Sequence, residues 1–199
     1  MSKINSLCVF CGSSKGKNSL YLEAAYETGK FLAEKNIEMV YGGGNVGLMG
    51  MAAKGVLDNG GKVTGIITDK LNGMEVGHTG LTEMKVTGSM HERKSLMNKL
   101  SDGFIVLPGG IGTIEETFEM FTWYQLGDHE KPIGILNVNE FYSGLINFLK
   151  HVVSEGFLRG EHLEYLIVES DPEKLIRKIL NSNITHLEKW FDRDKNIIK

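Results

Sequence analysis

Two hydrophobic regimes alternate along this chain: short continuous apolar runs, and longer stretches where apolar residues return every three or four positions. The runs Ser6 to Gly12, Glu38 to Tyr41, Lys62 to Ile67, Thr82 to Thr87, Gly103 to Leu107, Pro132 to Leu136 and Leu166 to Val168 predict strands. Between the first two, Ser19 to Lys35 predicts a helix, with Leu20, Ala24, Thr28, Phe31 and Leu32 near one face. Gly47 to Asn59 predicts a second helix, stopped by Gly60-Gly61. Ser89 to Leu100, Thr117 to Gln125 and Phe141 to Glu155 predict three more. Asp171-Pro172 opens a last helix, with an acceptor at N-cap and proline at N1. Thr68 to Gly80, rich in Gly and polar residues, reads as a loop.

Continuous apolar strands alternating with helices predict an α/β fold, a mostly parallel sheet with helices on both faces. In such sheets ligands bind outside the carboxyl ends of the strands, near a switch point. The glycine turns after the first, second and fifth strands all lie at that edge and can converge on one site. With no internal repeat or linker, 199 residues fit one α/β domain over 1–182. Residues 183–199 are polar with Leu187, Trp190 and Phe191 interspersed, and read as a C-terminal helical tail.

Apolar content of 41% and charged content of 24% are those of an ordinary globular chain. A formal net charge of −3 argues against nucleic acid as the main partner. No apolar run approaches the ~20 residues that span a bilayer, and the N-terminus lacks a signal-peptide pattern, so a cytoplasmic location is expected. Cys8 and Cys11 form a C-x-x-C, but inside a strand residues three apart point to opposite faces. They read as structural rather than redox cysteines. The six histidines show no metal-ligand spacing, and no metal site is expected.

The run Leu107-Pro108-Gly109-Gly110-Ile111-Gly112-Thr113-Ile114-Glu115-Glu116 joins a strand to a helix start. That arrangement offers free backbone N–H groups and the positive end of a helix dipole to an anion. Two acids follow at once, where a bare phosphate cradle gains nothing from negative charge. Thr113 and Glu116 share a helix face, whereas Glu115 is turned by about 100° from Glu116. Met90-His91-Glu92-Arg93-Lys94 opens another helix at the same edge. Two cations near a helix start are unfavourable unless an anion is close, and Arg binds phosphate or carboxylate in bidentate fashion. Gly42-Gly43-Gly44-Asn45-Val46-Gly47 satisfies G-x-G-x-x-G, with Asp69 at roughly the distance of a ribose-binding acid. It follows the second strand rather than the first, which favours phosphate or sugar contact by Gly43 and Gly44 over a dinucleotide site. Glu75 lies on the long loop before the fourth strand, a common place for function.

Together, Cys11-Gly12-Ser13-Ser14, Tyr41-Gly42-Gly43-Gly44 with Gly47-Leu48-Met49-Gly50, Met90-His91-x-Arg93-Lys94 and Pro108-Gly109-Gly110-x-Gly112-Thr113-x-x-Glu116 resemble the Lonely Guy family of cytokinin riboside 5′-monophosphate phosphoribohydrolases. The likeness runs from about Ser6 to Leu180. It implies a Rossmann-like fold, a homodimer, and cleavage of a nucleoside 5′-monophosphate to free base and ribose 5-phosphate. By position it puts Arg93 and Glu116 on the catalytic pair and Gly109, Gly110, Ile111, Gly112 and Thr113 on the phosphate turn. Lys94, Glu115, Thr122 and Glu75 fall on further substrate contacts. The family often carries Pro-Arg-Glu where this chain has Gly73-Met74-Glu75, which keeps the acid.

The chemistry fits those residue types. Breaking a C1′–N bond builds oxocarbenium charge on the ribose, which a carboxylate stabilises while it orients or deprotonates water. No metal or redox cofactor is required, and the expected partner is a small nucleotide: N6-prenylated AMP or AMP. Two other readings stay open at this point. One is a nucleotide-binding module without catalysis; the other is a dehydrogenase that binds NAD. Members of the family have often been labelled lysine decarboxylases, but such enzymes use pyridoxal phosphate on a lysine, and nothing here marks a partner for its pyridine nitrogen.

Overall fold

Strand by strand, successive residues feed opposite sides of one sheet. A computed structural model describes residues 4–73, 77–78 and 80–184. In β1 (Ser6–Phe10), Leu7 and Val9 enter one core while Cys8 and Phe10 enter the other. The chain continues through α1 (Ser19–Glu34), β2 (Glu38–Tyr41), α2 (Gly47–Asp58), β3 (Val63–Thr68), α3 (Asp69–Asn72) and β4 (Glu83–Thr87). Then come α4 (Met90–Leu100), β5 (Phe104–Val106), α5 (Ile111–Leu126), β6 (Ile133–Leu136) and a 3₁₀ turn (Val138–Glu140). α6 (Ser143–Ser154), α7 (Gly160–Glu164), β7 (Leu166–Glu169) and α8 (Pro172–Asn181) complete it. The sheet order is β4-β3-β2-β1-β5-β6-β7, every pair parallel.

Helices cover both faces, as continuous apolar strands require. α1, α2 and α8 pack over Leu7, Met39, Tyr41 and Ile105, while α4, α5 and α6 pack over Cys8, Val40, Phe104 and Ile133. α1 and α2 cross at very short range. A Cβ on Gly29 would stand 2.1 Å from the Ala52 carbonyl oxygen, and one on Gly55 would stand 2.2 Å from that of Tyr26. Both cysteines are buried and unbridged, Cys8 in one core and Cys11 in the other. The diverging thiols follow from the strand period.

Three expectations need correction. Thr68 to Gly80 is not loop throughout: Thr68 Oγ1 accepts from the Leu71 N–H at 3.3 Å and caps the one-turn α3. α5 begins at Ile111, two residues before the Thr113–Glu116 face expected to be helical, because Gly110 takes an extended N-cap conformation and the Ile114 N–H reaches its carbonyl at 3.1 Å. The Phe141–Glu155 helix is shorter, Ser143–Ser154, since Asn139 and Glu140 adopt positive φ (50° and 57°) just before it. Asp171 caps α8 as the sequence predicts, its Oδ1 accepting from the Lys174 N–H at 2.8 Å. Of the predicted tail, Asn183 and Ile184 are not helical, and 185–199 lie outside the described residues.

Candidate active site

Two glycine turns compete for the anion, and their hydrogen bonds separate them. The Gly12 carbonyl accepts from the Leu48 N–H (3.0 Å) and the Met49 N–H (3.4 Å), so the start of α2 is already capped by the loop after β1. α5 differs. Its N-cap, Gly110, offers no side-chain acceptor. Among the described residues none takes the N–H groups of Ile111, Gly112 or Thr113. A Cβ on Gly109 would lie 2.1 Å from Thr113 Oγ1, so that glycine is demanded by internal packing. A Cβ on Gly110 or Gly112 would meet nothing within 4 Å beyond its own turn, and neither takes a positive φ. Bare glycine there leaves the backbone N–H groups open to an anion.

That turn closes one end of a cavity of about 330 Å³ lined by Cys11, Gly12, Ser13, Gly42, Met49 and Leu71, with Arg93, Gly110–Thr113 and Glu116 on the remaining walls. Residues after β1, β2, β3 and β5 therefore meet at one edge. Arg93 reaches it from α4. Ser89 Oγ accepts from the Glu92 N–H (3.2 Å) and Glu92 Oε2 accepts from the Gly88 N–H (3.0 Å), a reciprocal cap that fixes the helix start. From there Arg93 Nε donates to the Ile66 carbonyl at 2.9 Å and Nη1 donates to Glu116 Oε1 at 3.0 Å. The guanidinium lies over Gly42, where a Cβ would come within 2.3 Å of Nη2. Only glycine lets this arginine through.

Both partners are largely buried, with 8% of the Arg93 side chain and 14% of the Glu116 side chain exposed. Burial pushes the Glu116 carboxyl above its ordinary value, and the Arg93 charge opposes that rise. The result is a desolvated carboxylate on an inward face of α5, braced by one cation. Because helical side chains lean toward the N-terminus, Glu116 points back toward the free N–H groups one turn earlier. An anion at the turn and a positive charge developing beside Glu116 can be held at once.

The predicted residues divide into two groups. Arg93, Glu116 and Gly110 to Thr113 line the cavity. Gly109 underlies it, packed against Thr113. Lys94 and Glu115 do not line it; they sit on the neighbouring outer face of α5. There Lys94 Nζ donates to Glu115 Oε1 at 2.6 Å and lies 3.0 Å from both oxygens of Glu119. Thr122, exposed, shares that outer face. Gly43 and Gly44 are not in the cavity wall either, against expectation. The Gly43 carbonyl accepts from the His78 N–H (3.3 Å) and Gly44 bridges Gly77, so they anchor the chain returning from α3. Asp69, exposed at the start of α3, does not line the cavity. Glu75 lies outside the described residues.

Sequence reasoning missed six wall residues. Cys11, Gly12, Ser13, Gly42 and Met49 sat inside motifs already singled out, so proximity to a glycine turn was the available signal. Leu71 gave none, because its one-turn helix is set by a single threonine cap.

Known proteins resemble this chain in sequence and in fold. The family model described as "Possible lysine decarboxylase" matches residues 49–179. A probable cytokinin riboside 5′-monophosphate phosphoribohydrolase of Oryza sativa subsp. japonica is 44% identical over 178 residues, covering 89% of this chain and 73% of its own length. A cytokinin riboside 5′-monophosphate phosphoribohydrolase of Arabidopsis thaliana is also 44% identical over 178 residues, covering 89% and 83%. Among solved structures, the molybdenum cofactor binding protein of Rippkaea orientalis superposes with a TM-score of 0.66 at 22% identity, covering 90% of this chain and 97% of that one. At that identity the likeness is one of fold, a Rossmann-like parallel sheet. The chain belongs to the family of the cytokinin riboside 5′-monophosphate phosphoribohydrolases, the one its glycine turns and its Arg93–Glu116 pair resemble.

Proposed function

We propose that this protein hydrolyses the N-glycosidic bond of purine nucleoside 5′-monophosphates, AMP or its N6-prenylated form, to free base and ribose 5-phosphate. One observation carries the reading: the unpaired N–H groups of Ile111, Gly112 and Thr113 stand one helical turn from the buried Glu116 carboxylate. The turn takes the 5′-phosphate, and Glu116 faces the anomeric carbon. As the C1′–N bond breaks, its electron pair leaves with the base nitrogen, which is protonated, and Glu116 stabilises the cationic sugar. Water then supplies the oxygen to C1′ and gives up the balancing proton. Arg93 holds Glu116 in place and keeps it ionised despite its burial. The balance needs only water.

A binding module without catalysis has no use for a desolvated carboxylate near a bound dianion, where it would weaken phosphate affinity. Lysine decarboxylation fits less well still. Burial alone would pull the Lys94 ammonium down, but Glu115 and Glu119 more than reverse this, leaving it cationic and a poor Schiff-base nucleophile. The activity for which those relatives are named favours the same substrate class. The reading extends to a homodimer, which the family resemblance implies. It also extends to a cytoplasmic setting, where buried Cys8 and Cys11 stay reduced. Among the described residues no helix is long and apolar enough to cross a membrane.

The test gives purified protein AMP, N6-isopentenyl AMP, the matching nucleosides and NAD, with base release followed chromatographically. Release from the monophosphates and not from the nucleosides is expected. No base from any monophosphate overturns the hydrolase. Sedimentation of the same sample reads the dimer.

A further inference from the structure

The free N–H groups of the α5 turn fix one end of the cavity for an anion, and two half-buried apolar side chains, Met49 and Leu71, stand at the other. The cavity crosses the carboxyl ends of four adjacent strands in the order β5-β1-β2-β3. Three inter-strand steps of about 4.8 Å make it roughly 14 Å long. The β5 end holds the free N–H groups, Ile111 and Thr113, and Arg93 reaches from the Ile66 carbonyl of β3 across Gly42 to Glu116. Among the described residues, Met49 and Leu71 are the apolar side chains at the β2–β3 end.

Local structure fixes both. Met49 stands in the first turn of α2, whose N–H groups are held by the Gly12 carbonyl. Its Sδ lies 3.3 Å from the position a Cβ on Gly42 would take, the same point that the Arg93 guanidinium crowds. Met49 therefore borders the reacting centre. Leu71 rides on α3, capped by Thr68, and the chain returning from α3 is pinned at Gly43 and Gly44. Both side chains are half-buried. They present apolar surface beside the Arg93 guanidinium.

We propose that Met49 and Leu71 are the base-binding wall, taking the faces of a purine between a thioether and a branched aliphatic side chain, and that they set which base is accepted. This rests on the hydrolase reading for its substrate class. A phosphate at the α5 turn puts the ribose beside Glu116, and the base then falls at the β2–β3 end. Aromatic faces pack well on methionine sulfur and on aliphatic carbon. Neither side chain reads hydrogen-bonding edges, so what these two contribute follows shape and apolar area. Leu71, on a one-turn helix, is the side chain whose size limits substituents on the base.

Binding on a Glu116→Gln background tests this without depending on turnover. Calorimetry would measure AMP, N6-isopentenyl AMP and ribose 5-phosphate against that protein and against the same protein carrying Met49→Ala or Leu71→Ala. Each truncation should weaken AMP by about tenfold while ribose 5-phosphate changes by less than about twofold. Leu71→Phe keeps an apolar wall and should weaken N6-isopentenyl AMP more than AMP. It covers the case in which an alanine variant fails to fold. Equal weakening of AMP and ribose 5-phosphate would overturn the assignment, as would AMP binding that ignores both truncations. If the unaltered protein releases no base and the truncations still discriminate AMP from ribose 5-phosphate, the hydrolase fails and the base wall stands.

Discussion

Replacing Glu116 by glutamine isolates charge from shape. Glutamine preserves length and can still accept the Arg93 Nη1 hydrogen bond made now at 3.0 Å, so the cavity keeps its outline. What disappears is a negative charge facing the sugar. For a cationic centre about 4 Å from the carboxylate, an effective dielectric of about 20 gives an attraction of roughly 4 kcal/mol. Lost from the transition state alone, that is about a thousandfold in kcat. Substrate binding should survive, because the phosphate turn is untouched and removing an anion near a dianion helps. The assay is initial-rate base release from AMP, with binding measured separately by calorimetry. Circular dichroism would confirm the fold, since Arg93 loses its counter-charge while keeping its bond to the Ile66 carbonyl. A kcat within tenfold of the unaltered protein would refute the electrostatic role of Glu116. So would an equal loss of kcat and of affinity. The unaltered enzyme adds a pH signature. Burial holds the Glu116 carboxyl above its ordinary value, and the ionised form is the active one. Its acid limb should therefore fall at a higher pH than a solvated carboxylate, about 4.3, and glutamine should erase it.

Other consequences concern the residues that hold this pair. Gly42→Ala puts a Cβ 2.3 Å from Arg93 Nη2; displacing the guanidinium by about 1 Å should cost about a hundredfold in kcat with little loss of stability, and unchanged kcat would count against the packing claim. Gly29→Ala drives a methyl to 2.1 Å from the Ala52 carbonyl oxygen, so denaturant unfolding should show at least about 1–3 kcal/mol of destabilisation as α1 and α2 separate. His129 is held neutral: its Nε2–H donates to the Met120 carbonyl (2.9 Å), its Nδ1 accepts from the Lys131 N–H (3.1 Å), and burial depresses it from 6.5 to about 4. Below pH 6.5 the unfolded chain takes up the proton first, so stability falls as pH drops through that window, by up to about 3 kcal/mol near its lower end. His129→Gln should flatten the pH dependence of unfolding between pH 7 and 4.5, and an unchanged slope would remove His129 as its source.

Much of this was legible in the sequence because it depends on local periodicity. Strands buried on both faces announce a parallel sheet through unbroken apolar runs such as Phe104 to Leu107, and glycine turns at their ends announce the ligand edge. The Arg93–Glu116 contact was reachable only as two motifs at one edge, since 23 residues separate them. What local pattern could not give was allocation. Gly42 and Gly43 are adjacent and identical as letters, yet one clears a path for an arginine and the other accepts a backbone hydrogen bond from a returning loop. Nothing in the spacing separates a glycine required by a side chain passing over it from one required by a chain passing beside it.

The same limit explains Lys94 and Glu115, and shows what their neighbours need. On both helices the residue inside the cavity is followed or preceded by one outside it: Arg93 and Lys94 on α4, Glu116 and Glu115 on α5. A step of one residue turns a side chain by about 100°, so two ion pairs join the same helices side by side, one lining the cavity and one outside it. The outer pair is reinforced by Glu119, one turn beyond Glu115, so that Lys94 meets two carboxylates. A lone ion pair on a surface contributes little, but Lys94 is only 12% exposed and Glu119 only 22%. Cations near the start of α4 oppose its dipole, and without acids from α5 they would weaken the helix that carries Arg93. In the proposed hydrolysis the carboxylates directly after the glycine turn thus have separate work: Glu116 would meet the developing charge, while Glu115, with Glu119, joins α5 to α4 through Lys94.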